Sequence, residues 1–137
     1  MIVLDTDHVS VLSAAGPRGQ RLKDRLQASG KETALTIISV EEQMRGWLAE
    51  IRRQTSILRQ ITPYERLGSL IEFWQFCRIL PFDELAAIEF QSLRSVRIGT
   101  QDLKIAAIVL VRDALLLTKN ARDFERVPGL RFEDWLD

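Results

Sequence analysis

The chain has 137 residues, 19 acidic and 19 basic side chains, and 46% hydrophobic residues. That length suits a single domain, 1–137, with its own core, and zero net charge leaves no global field to draw it to nucleic acid or membrane. The lone cysteine, Cys77, excludes an internal disulfide and a cysteine-rich zinc site.

In chain order, Ile2–Leu4 reads as a short buried strand. A brief helix from about Asp7 ends near Gly16-Pro17, and "RGQRLKDRLQASG" reads as an amphipathic helix closed by Gly30. Residues 34–38, "ALTII", form a second buried strand, and "SVEEQMRGWLAEIRR" turns helical. The stretch from Thr55 to Cys77 reads as two helices broken around Thr62-Pro63. "RILPF" is a third strand, "DELAAIEFQSLRSV" a helix, and Ile98-Gly99 a turn. "TQDLKIAAIVLVR" is a helix apolar on most sides, and "ALLLT" is the fourth strand. A helical turn starts near Asn120, and "LRFEDW" fits a short edge strand. Alternating strands and helices, with unbroken apolar strands, predict a three-layer α/β/α fold. Its sheet is expected to be mostly parallel and four- to five-stranded. With no basic leader and no apolar run near the ~20 residues of a membrane span, a cytoplasmic protein is expected.

Acids fall at the junctions. Asp5 follows the first strand, and Glu42 lies in the first turn of the helix after the second. Asp102 lies in the first turn of the apolar helix, and Asp123 shortly follows the fourth strand. Ligands of open α/β sheets bind beyond the carboxyl ends of the strands, so these acids are expected to converge on one edge. Taken singly, several have a plainer explanation as helix caps. Ser39 and Glu42 match a capping box, Thr100 suits a cap before Asp102, Asn120 a cap before Asp123, and Asp7 a cap of the first helix. Capping does not account for Asp5 or for an acid at every junction. Four carboxylates at one edge repel one another unless a cation neutralises them, and oxygen ligands select a hard ion, Mg²⁺ or Mn²⁺.

The segments "LDTDHVS", "TIISVEEQMRG", "IGTQDLKIAAIVL" and "LLLTKNARDFERVPGL" resemble the successive motifs of PIN-domain ribonucleases, nearest the VapC-type toxins of bacterial toxin–antitoxin pairs. The resemblance runs over essentially the whole chain. It implies that Asp5, Glu42, Asp102 and Asp123 are the catalytic, metal-binding acids. Glu42 is chosen over Glu41 because the family's glutamate stands four positions before a glycine, here Gly46. It further implies that Thr6 and Thr118 orient carboxylates or water and that Asn120 is a polar member of the site. The implied reaction is hydrolysis of RNA phosphodiesters by a water activated at Mg²⁺, with Mn²⁺ as a substitute, leaving a 5′-phosphate and a 3′-hydroxyl. Implied partners are RNA, a VapB-type antitoxin and a second copy of the chain. The antitoxin's C-terminal segment would lie in a groove leading to the acids. Apolar stretches between Arg52 and Phe76 are expected to supply part of an interface.

Four lysines stand against fifteen arginines, and Lys119, Arg45, Arg97 and Arg122 are candidate RNA contacts beside the acids. Two other functions compete. "DTDHV" after a strand also matches the opening of an aspartate-nucleophile phosphatase of the haloacid-dehalogenase type, though no later acidic pair follows Lys119 as that chemistry wants. A PIN fold that binds RNA or protein without cutting is the other. His8 is read as a helix-start polar residue at the mouth of the site. The three tryptophans are read as core or interface, and Cys77 as a buried inert thiol.

Overall fold

The computed structural model describes residues 1–136. Five strands, β1 (Ile2–Leu4), β2 (Thr33–Thr36), β3 (Arg78–Leu80), β4 (Leu115–Leu117) and β5 (Arg131–Glu133), form one sheet in the order β3-β2-β1-β4-β5. Every pairing is parallel. The helices are α1 (Thr6–Ser13), α2 (Pro17–Ser29), α3 (Ile37–Arg53), α4 (Ile61–Trp74), α5 (Glu84–Ser92), α6 (Thr100–Val111) and the single turn α7 (Ala121–Phe124). The three-layer α/β/α expectation holds, and "LRFEDW" does supply an edge strand.

Strand alternation builds two cores. Val3, Ala34 and Leu116 face α5, α6 and Phe124, while Ile2, Leu4, Leu35 and Leu117 face α1, α2 and α4. α6 is apolar nearly all round because five consecutive residues, Ile105 to Val109, are fully buried. α3 contributes Ile38 to one core and Val40 to the other, so it crosses the end of the sheet and not one face. α2 approaches the end of α1 so closely that a Cβ at Gly19 would meet the Val11 carbonyl oxygen at 2.7 Å. Gly30 ends α2 at φ 66°, the left-handed conformation that favours glycine.

The structure corrects several boundaries. The second strand ends at Thr36, and Ile37 and Ile38 already belong to α3. The Thr36 side chain accepts the Ser39 N–H at 3.1 Å, so Thr36 is the cap and Ser39 is not. Glu42 therefore sits in the second turn of α3 and closes no capping box. Gly99, not Thr100, precedes α6, and Asp5, not Asp7, caps α1. The expected break at Thr62-Pro63 falls earlier, after a short 3₁₀ turn at Leu58–Gln60. Pro63 lies in the first turn of α4, where a missing N–H leaves no helical bond unmade.

Candidate active site

Strand order reverses between β1 and β4, which places the crevice beyond the carboxyl ends of these two neighbours. Asp5 leaves β1 there, with its own N–H still bonded to the Leu117 carbonyl at 2.9 Å. Its carboxylate does two jobs. Oδ1 accepts the Thr6 N–H at 2.8 Å and caps α1, and Oδ2 accepts the Thr118 hydroxyl at 2.8 Å across from the end of β4. The expectation that capping could not account for Asp5 is thus corrected: Asp5 is itself a cap, and its second oxygen ties two strand ends together.

Asn120 joins this pair to the remaining acids. Its backbone N–H donates to Thr118 Oγ1 at 3.0 Å. Its side-chain Nδ2 donates to Asp102 Oδ2 at 3.2 Å and to Asp123 Oδ2 at 3.0 Å. Asn120 is the residue before α7, but its side chain caps nothing and is spent on the two carboxylates. Asn120 and Asp123 therefore share one network with Asp102.

Glu42 faces the same crevice. Burial raises its pKa first, then the charges of Asp5, Asp102 and Glu41, with Arg45 opposing. The neighbouring Glu41 is engaged elsewhere, bonded to Arg45 Nη2 at 2.5 Å and to Gln101 Nε2 at 2.8 Å. Asp102 is pushed up to about 6, first by burial and then by the charges of Asp5 and Asp123, against the Asn120 hydrogen bond. Burial also raises Asp5, although its bonds to Thr118 and Thr6 pull the other way. Burial being the first cause at each, the crevice is a poor solvent for the negative charge it collects.

Among the described residues, no three His, Cys, Asp or Glu side chains stand close enough together to form a ready-made ligand group. Of the candidate RNA contacts, Lys119, Arg97 and Arg122 are exposed, while Arg45 is exposed but ion-paired with Glu41. Thr6 is half-buried beside the crevice, where its side chain lines a groove with Glu42. That groove runs on past Trp47 and Glu50 to Leu58 and Pro63, and sequence reasoning passed over its polar floor residue, Gln43. A glutamine at helical spacing with Val40, Trp47 and Ile51 on the apolar stripe was the available signal.

His8 is not at the mouth of the site. It is fully buried, and its Nε2 accepts the Trp135 N–H at 3.1 Å, fastening the segment after β5 onto α1. That bond requires an unprotonated Nε2, so Nδ1 carries the proton, and Nδ1 is buried without a partner. Burial lowers the His8 pKa from 6.5, assisted by the positive charges of Lys119 and Arg18 and opposed by Asp134 and Asp7. With the folded value depressed, the unfolded chain binds the proton first. The stability from neutral His8 is present above about 6.5 and is lost as pH falls through the folded value. Melts of wild type and His8→Gln should show the wild type losing more stability between pH 6.5 and 4.5; parallel curves would assign the acid sensitivity elsewhere.

Trp74 is buried, whereas Trp47 and Trp135 are half-buried, the last under the Arg25 guanidinium at 4.0 Å from its ring centre. Cys77 is half-buried, not sealed in the core, and burial raises its thiol pKa. Asp7, the acid/base of the phosphatase alternative, is exposed on α1.

No protein-family model matches the chain. It is 31% identical over 83 residues to the tRNA(fMet)-specific endonuclease VapC of Salmonella typhimurium, covering 56% of this chain and 63% of that protein. It is 33% identical over 79 residues to the Shigella flexneri protein of the same name, covering 53% and 60%. The matched segments thus span less than two thirds of these relatives. The fold likeness extends further. VapBC2 from Rickettsia felis, bound to a promoter DNA fragment, matches over 98% of this chain and 99% of its own, with TM-score 0.76 and 23% identity. FitAcB from Neisseria gonorrhoeae matches over 98% and 99%, with TM-score 0.70 and 26% identity. The chain has the PIN-like α/β fold of these structures, and a little over half of it is similar in sequence to the two VapC endonucleases.

Proposed function

We propose that this chain is a metal-dependent endoribonuclease and the toxin of a type II toxin–antitoxin pair. The observation that carries the reading is the Asn120-centred network. It gathers Asp5, Asp102 and Asp123 at the switch point of the sheet, with Glu42 in electrostatic reach and Asp102 held up to about 6. A fold that concentrates carboxylates where they resist ionisation is suited to binding a cation there. The relatives' names, endonucleases acting on tRNA, support the same reading.

The donor set fits Mg²⁺ or Mn²⁺ in kind, since every candidate ligand atom is a hard oxygen. The lack of a closed three-ligand group among the described residues does not conflict with this. Mg²⁺ is usually held by one or two carboxylates, with waters and substrate phosphates completing its shell. When bound among Asp5, Glu42, Asp102 and Asp123, the ion would acidify a water and stabilise charge on the phosphate. The chain's own residues do the positioning. Thr118 holds Asp5 through Oδ2, and Asn120 holds Asp102 and Asp123 through one amide. Water is the nucleophile, and the products carry a 5′-phosphate and a 3′-hydroxyl. Lys119, Arg97 and Arg122 meet the RNA backbone from the exposed rim, and Arg45 contributes if it exchanges Glu41 for a phosphate.

The groove beside the acids is the antitoxin's path. It carries Glu42 and Glu50, and Ile57, Leu58, Ile61 and Tyr64 are exposed on the segment that borders it. These features suit a segment of the VapB-type partner that is both apolar and basic. A homodimer completes the assembly, using exposed apolar side chains such as Ile37, Met44 and Leu48 on α3. Among the described residues, no helix is long and apolar enough to cross a membrane.

Chelator-stripped protein should leave RNA intact. Mg²⁺ or Mn²⁺ should restore cutting, and Ca²⁺ should restore little. Cleavage at full rate in excess chelator would remove the metal from the mechanism. Hydrolysis of phosphomonoesters through a phosphorylated Asp5, lost in Asp7→Asn, would favour the phosphatase instead.

A further inference from the structure

We propose that a small recess adjoining the groove beside the acids receives one base of the RNA and that guanine is its preferred occupant; the proposal rests on the nuclease reading above. The recess has a volume of about 120 Å³ and lies between α1, α3 and α4, its polar lining Ser10, Ser13, Gln43, Arg66 and Ser69 and its apolar lining Trp47 with Ala14 and Leu70. It has room for about four waters, the scale of one flat heterocycle.

Its position ties it to the cleavage site. Ser10, Gln43 and Trp47 line both the recess and the groove that reaches Thr6 and Glu42. Ser10 is one turn beyond Thr6, roughly 6 Å along α1, and Gln43 directly follows Glu42. A base in the recess therefore belongs to a nucleotide flanking the phosphate held at the acids.

Its chemistry selects the base. Gln43 is buried, and its Oε1 accepts the Trp74 indole N–H at 3.2 Å. That bond settles which way the amide faces. Nε2 keeps two free donors, and it is not sealed away: the unpartnered, fully enclosed side-chain atom among the described residues is His8 Nδ1. Arg66 has no carboxylate partner among the described residues. Two donor groups in one recess match the O6 and N7 acceptors of guanine, whereas adenine presents an N6 donor at the same edge. Serine hydroxyls can accept from the remaining N–H groups, and Trp47 offers a ring for stacking, as unpaired RNA bases require.

The test is a map of cut ends across a pool of random single-stranded RNA. The enzymes compared are wild type, Gln43→Glu and Ser69→Phe, each assayed with Mg²⁺. Gln43→Glu keeps an acceptor for Trp74 but replaces the donors with a negative charge. Ser69→Phe, at an exposed position of α4, fills the recess by a separate route. Wild type should favour guanine at one position beside the cut by about tenfold, the discrimination expected of a good two-donor contact. Both variants should flatten that position and leave preferences elsewhere unchanged. Wild-type cutting with no base preference there, a preference for another base, or a guanine preference that survives in both variants would overturn the recess while leaving the nuclease reading intact. Wild type that cuts no RNA in the pool would overturn both.

Discussion

Asp102→Asn should lower RNA cleavage by at least about a hundredfold while making the metal-free protein more stable at neutral pH. The two effects have one origin. In the folded chain Asp102 is raised to about 6 by burial and by Asp5 and Asp123. A carboxylate raised in this way contributes stability that is fully present below its unfolded value of about 3.9 and is lost as pH rises through about 6. At pH 7.5 the ionised side chain is therefore a burden on the empty fold. Asparagine removes the charge at nearly constant shape. The gain at pH 7.5 should be about 1 kcal/mol, allowing for solvent screening of a half-buried group, or roughly 3 °C in melting temperature. It should shrink toward zero by pH 4. Added Mg²⁺ should reverse the order, because an ion bound only by the folded wild type stabilises it by mass action. Melts at pH 4 and 7.5, with and without Mg²⁺, measure all of this. A destabilised Asp102→Asn that still cuts RNA would mean that Asp102 is only a structural partner of Asn120.

The second large effect is expected at Asp5, where two roles separate by choice of substitution. Asp5→Ala loses both the cap on α1 and the acceptor for Thr118. It should cost about 0.5–2 kcal/mol of stability. Asp5→Asn keeps an oxygen for the Thr6 N–H and removes a charge that burial disfavours, so its metal-free stability should match wild type or slightly exceed it. RNA cleavage and growth arrest on expression should be lost in both. Thermal melts report the cap, and cleavage with growth assays reports the site. Were Asp5→Asn to arrest growth at normal expression, Asp5 would be a helix cap and nothing more.

Much of this molecule is legible in its sequence because the signals are local. Unbroken apolar runs at Ile2–Leu4 and Leu115–Leu117 mark strands buried on both faces, and the apolar run after Asp102 marks a helix enclosed between neighbours. The acids at the junctions stand out by their recurrence, since helix capping accounts for single positions and does not require an acid at each one. Tertiary structure decided the rest. Local pattern assigned Ile37 and Ile38 to a strand, but Thr36 captures the Ser39 N–H and starts the helix one turn sooner. His8 read as a polar helix start, and only the return of the chain at Trp135, 127 residues away, buries it and supplies its bond. The order β3-β2-β1-β4-β5 brings Thr118 to Asp5 across 113 residues and lets Asn120 bridge Asp102 and Asp123. Periodicity and turn chemistry act over a few residues and are written in the chain. Which polar atoms meet at the sheet's edge depends on strand order and helix packing, and those are set by burying two apolar faces at once.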